Sequence, residues 1–175
     1  MTTQLETAQP DTANLTPAKS GDPYLEGIIA GSIGAAAIAV WFLILDAIKG
    51  RPFYTPSLLA TVLFRPGGGL TAPESVEISF EQVLGYTWVH WLVFCVIGGV
   101  ASLLLRAAER NPDLGFGILL LFVVFEFGFL VGALLFANAI LRVIAWQEIL
   151  GGNLLAAAAM AAYFWRRHSN LVIRP

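Results

Sequence analysis

The sequence predicts an all-α polytopic membrane protein: four transmembrane helices in an antiparallel bundle, plus one short helix that is interfacial or re-entrant. Two observations carry that prediction. The 175-residue chain is 57% apolar and only 13% charged, against roughly 25% charge in soluble domains. It also holds four windows of about 20 apolar residues, the length that takes a helix across roughly 30 Å of hydrocarbon. These are Gly27–Leu45, Val83–Leu105, Leu114–Phe136 and Ile144–Trp165. Each holds few charges and is bounded by charged or helix-interrupting residues, as expected where every backbone group must be bonded within its own helix. A soluble helical core would show polar faces at helical period, and these windows lack them.

Residues 1–24 read as a disordered tail, with Pro10, Pro17 and Pro23 set among Thr, Ser, Ala and Asp. The tail has neither the basic start nor the apolar run of a signal peptide, so the first window is expected to stay in the mature protein. The transmembrane domain is then 25–168 and the C-terminal tail 169–175.

The connection from Asp46 to Gln82 is the long one, and it is not uniformly polar. A short helix is expected over about 55–64, with Thr55 as its cap and Pro56 at its first position. Leu58, Leu59, Val62, Leu63 and Phe64 suit an interface or a re-entrant position, because the segment is too short to span. Gly67, Gly68 and Gly69 end it. The connections Arg106–Asp113 and Ala137–Val143 are short, which predicts antiparallel hairpins.

Four crossings put both termini on one face. Lys19, Arg106, Arg110, Arg166, Arg167 and Arg174 fall on that face, and Lys49, Arg51, Arg65 and Arg142 on the other. The excess of basic residues predicts a multi-pass cell-membrane protein with cytoplasmic termini. The run Arg166, Arg167, His168 directly after the fourth window suits an anionic lipid surface.

Helices in lipid associate where small side chains let backbones approach. Gly27, Gly31, Ala35 and Ala39 form such a ridge on the first helix, Gly128 and Gly132 on the third, and Gly152 with Ala156 on the fourth. They serve packing within one bundle or contacts between copies.

A carboxylate in hydrocarbon costs roughly 2.5–3.5 kcal/mol on insertion scales, so Glu126, among Phe122, Phe125, Phe127 and Phe129, needs a reason. Proton exchange is one; a neutral acid hydrogen-bonded to a neighbouring helix is the other. His90 is its candidate partner, roughly a turn nearer the outer surface. The alternative places His90 in an interfacial aromatic cluster with Tyr86, Trp88 and Trp91. Asp46, Lys49, Arg142 and Glu148 gather at one outer rim, where Asp46–Arg142 or Lys49–Glu148 pairs contribute little energy. Asn153, about a turn deeper, extends that group inward.

The chain has no phosphate-binding glycine loop, no zinc-type histidine pair, no nucleophile elbow and no acidic cluster suited to magnesium. Its lone Cys95 provides neither a disulfide nor a thiolate metal site. His90 and His168 fall in opposite halves of the bundle, which excludes the simplest bis-histidine haem. No metal, cofactor or catalytic residue is expected, and the scattered basic residues exclude nucleic acid as a partner.

The stretch Gly50–Phe64, reading Gly-Arg-Pro-Phe-Tyr-Thr-Pro-Ser-Leu-Leu-Ala-Thr-Val-Leu-Phe, together with Arg166, Arg167 and His168, resembles small bacterial four-helix membrane proteins. That resemblance implies a bundle in a bacterial inner membrane and implies no activity or site. The expectation is a non-enzymatic accessory or interaction subunit, partnered by the bilayer and by its own copies or a larger membrane complex. The alternatives are a proton-coupled permease using Glu126 and His90, and a lipid-modifying membrane enzyme.

Overall fold

The computed structural model describes residues 22–64, 76–111, 113–117 and 144–168. Every regular element among them is helical, and none is a strand. Four long elements appear in chain order: α1 Pro23–Ile48, α2 Tyr54–Phe64, α3 Phe80–Arg110 and α4 Trp146–Arg167. Most of the window Leu114–Phe136 lies outside the described residues, and with it Glu126, Gly128 and Gly132; Arg142 does too.

α1 begins inside the stretch read as tail. Asp22 caps it by accepting a hydrogen bond from the Tyr24 amide at 3.0 Å, and Pro23 stands at the first helical position, where its missing N–H costs nothing. Lys49 closes the other end on the Leu45 carbonyl, and Gly50 takes the left-handed conformation (φ 73°) that turns the chain out of the helix. A second left-handed residue, Phe53 (φ 65°), follows within three positions and aims the chain into α2. α3 is capped by the Ser79 hydroxyl and runs to Arg110, past the apolar window, because the backbone ladder continues where the side chains turn polar.

α1 is the central element and contacts α2, α3 and α4. A Cβ added at Gly27 would lie 2.4 Å from the Gly99 Cα, one at Gly31 would lie 2.2 Å from the Phe94 carbonyl oxygen, and one at Gly98 would lie 2.2 Å from the Gly27 carbonyl oxygen. α1 and α3 therefore meet backbone to backbone, the close approach that small residues permit. The contacts run antiparallel: Gly27 meets Gly98 and Gly99, Gly31 meets Phe94, and Ser32 accepts a 2.9 Å hydrogen bond from the Trp91 indole.

α4 is also antiparallel to α1. Its buried stripe is Gly152, Ala156, Met160 and Phe164, with Met160 against Gly34 and Gly151 and Gly152 under the Trp41 ring. The Trp41 indole donates to the Glu148 carbonyl at 2.9 Å. Since both α3 and α4 oppose α1, they run parallel to each other and end together.

Among the described residues two helices are long and apolar enough to cross a membrane, α1 and α3, and only 22% and 11% of their most apolar stretches are buried. A core helix of a soluble protein would be mostly buried, so these large apolar faces suit lipid. At 1.5 Å per residue they rise about 39 and 46 Å, more than the roughly 30 Å thickness of bilayer hydrocarbon. The 22 residues of α4 are sufficient in length, but Gln147, Glu148, Asn153, Arg166 and Arg167 make it more polar.

Candidate functional site

Three helix ends meet where α1 begins and α3 and α4 finish, and they carry opposite charges. Glu26 sits in the first turn of α1 and is 4% exposed. The positive end of that helix dipole favours its carboxylate. His168 caps the C-terminal end of α4, its amide bonded to the Phe164 carbonyl, where the negative end of the dipole favours a cation.

The His168 Nε2 lies 2.7 Å from Glu26 Oε1, and its Nδ1 lies 2.5 Å from Glu109 Oε1 on α3. Glu26 Oε2 accepts from the Ser102 hydroxyl at 3.3 Å and lies 3.5 Å from an Arg106 guanidinium nitrogen. Glu26 is thus held by groups from α3 and α4 at once. Two carboxylates face one guanidinium and one imidazole, so the cluster balances when the ring is protonated. The ligating atoms are spent on one another, and among the described residues no group of His, Cys, Asp and Glu is arranged to hold a metal ion.

A second polar node lies at the opposite end. Asp46, placed by its sequence position on a solvated rim, is instead 2% exposed, and both of its carboxylate oxygens accept hydrogen bonds from Thr55. Thr55 is not the cap of α2: the helix starts at Tyr54, which moves Pro56 to its third residue, and Asp46 supplies the acceptor for the Thr55 amide. The Arg51 guanidinium lies 3.9 Å over the Tyr54 ring. Lys49 and Glu148 form a partly exposed 2.6 Å ion pair that ties the end of α1 to the start of α4.

His90 is half-buried on α3, stacked on Tyr86 at 5.7 Å and packed on Phe94 at 4.8 Å. Trp88 and Trp91 pair with each other. Asn153 is half-buried in the second turn of α4. On the ridge of α1, Gly27, Gly31 and Ala35 are buried but Ala39 is exposed; Gly152 and Ala156 are buried on α4.

From the sequence, Arg106 is a basic marker of topology and His168 is part of a basic run at a lipid surface and a discarded haem ligand, while Glu26, Ser102 and Glu109 carry no expected role. The available clue was the expected helix order, which brings the start of the first helix beside the ends of the second and fourth, each carrying ionisable residues. Compared with models of protein families, with curated proteins and with solved structures, the chain matches none.

Proposed function

We propose that the protein is a non-enzymatic accessory or interaction subunit of the cytoplasmic membrane, acting through its lipid-facing helix surfaces. The observation that carries this reading is the direction of its polar groups. Glu26, Ser102, Arg106, Glu109 and His168 engage one another, Asp46 engages Thr55, and Lys49 engages Glu148, so these groups staple helix ends rather than line a path or a reaction centre. Outward, α3 presents Trp88, Leu92, Val96, Val100 and Leu103, all more than 45% exposed. A bundle closed inward and apolar outward acts by lateral contact.

The reading includes four crossings with both termini cytoplasmic. Its support is topological: α3 finishes at the end of the bundle opposite to the start of α4, and 26 residues, 118–143, lie between the described parts. As a helix these 26 residues would rise about 39 Å, enough to cross.

Native mass spectrometry of the protein extracted from its own membrane in a mild detergent tests the role. We expect a species heavier than the 18.9 kDa chain by a second copy or a second protein at fixed stoichiometry. A bare 18.9 kDa chain in every gentle extraction overturns it.

A further inference from the structure

We infer that Glu26, His168 and Glu109 form a proton-dependent latch, which fastens the end of α4 to α1 and α3 when the imidazole carries both protons and releases it when one is lost. The geometry carries this. A carboxylate only accepts hydrogen bonds, while a neutral imidazole has one N–H and one lone pair. With a carboxylate oxygen 2.7 Å from Nε2 and another 2.5 Å from Nδ1, both ring nitrogens must donate for both contacts to hold. Loss of one proton sets a lone pair against a carboxylate, so one of the two arms turns repulsive.

Among the described residues the charged groups facing the ring are Glu26 from α1 and Glu109 from α3, with Arg106 of α3 behind Glu26; Arg166 and Arg167 precede it on α4. His168 is well placed for such a role: its side chain is 11% exposed, so proton exchange with water is not blocked, while the Glu26 side chain at 5% is deep enough to feel the loss. Histidine is the side chain whose charge ordinarily changes near neutral pH. The latch is closed at lower pH and opens as pH rises. It does not depend on the subunit role proposed above, since it concerns contacts within one chain.

A nitroxide at Arg167→Cys, in a Cys95→Ser background of the full chain in lipid bilayers, reads the motion of the last turn of α4. The spectrum should be immobilised at pH 6 and gain a mobile component several-fold at pH 9. His168→Gln should remove that pH dependence. Glu109→Gln should keep the label immobilised at both values, because the glutamine amide can donate to the bare ring nitrogen that a carboxylate repels. Identical wild-type spectra at both pH values would overturn the latch, as would a pH response that survives in Glu109→Gln. Glu109 is 38% exposed at its side chain, so this variant tests the claim even if His168→Gln does not assemble.

Discussion

Asp46 holds Thr55 twice: one carboxylate oxygen accepts the Thr55 amide and the other its hydroxyl, each at 2.7 Å. The last turn of α1 thereby supplies the N-terminal cap of α2, across a turn containing the left-handed Gly50 and Phe53. Since Asp46 is 2% exposed, Asp46→Ala leaves the start of α2 without its acceptor in a place water scarcely reaches. The expected cost is about 2 kcal/mol, with Asp46→Asn costing about half as much because its amide oxygen retains one acceptor. Thermal unfolding followed by circular dichroism checks this order; equal midpoints for the three proteins would contradict it.

Adjacent glycines on α3 should respond oppositely to one methyl group. Gly98→Ala drives a Cβ to 2.2 Å from the Gly27 carbonyl oxygen and 2.7 Å from the Gly31 nitrogen, atoms of a backbone that cannot move aside cheaply. A loss of about 3 kcal/mol is expected. Gly99→Ala meets nothing within 4 Å and gains helix propensity, so it should be neutral or slightly stabilising. The same unfolding assay separates the pair, and similar losses at both positions would disprove the backbone contact.

The Lys49–Glu148 pair is short, but the lysine side chain is 48% exposed. Solvent screens such a pair, and Lys49→Met should change stability by less than about 1 kcal/mol. Trp41→Ala is the contrasting variant: it removes the ring that covers Gly151 and Gly152, and should cost about 3 kcal/mol. A larger effect from Lys49 than from Trp41 would mean that charge outweighs packing where α1 meets α4.

How much of this was legible in the residues differs from element to element. The apolar windows located α1 and α3 because hydrophobicity alone decides where a helix can cross lipid, but their ends lay further out, at Asp22 and Asn111. There the caps decide, and the Asp22-Pro23 start lies in a stretch whose composition reads as tail. Of the small-residue ridge, Gly27, Gly31 and Ala35 are buried and Ala39 is not, for a geometric reason. Steps of four residues drift about 40° around a helix of 3.6 residues per turn, so by Ala39 the ridge has rotated about 120° from its start. Ala30 and Gly34, outside the four-residue series, share the buried face. The ionic cluster was illegible because it depends on how three helices are rotated about their axes. Glu26 in a first turn looks like ordinary dipole complementation until α3 and α4 bring Arg106 and His168 against it.

The most direct test of the four-crossing arrangement is labelling of single cysteines with a membrane-impermeant maleimide, in the Cys95→Ser background. Leu114 and Trp146 are about half exposed and stand on either side of residues 118–143 in the chain, beside the end of α3 and at the start of α4. Leu114→Cys should be labelled from the same face as Tyr24→Cys, and Trp146→Cys from the same face as Ile48→Cys. Labelling of Leu114→Cys and Trp146→Cys from one and the same face would mean that the chain between them does not cross, and would contradict the arrangement.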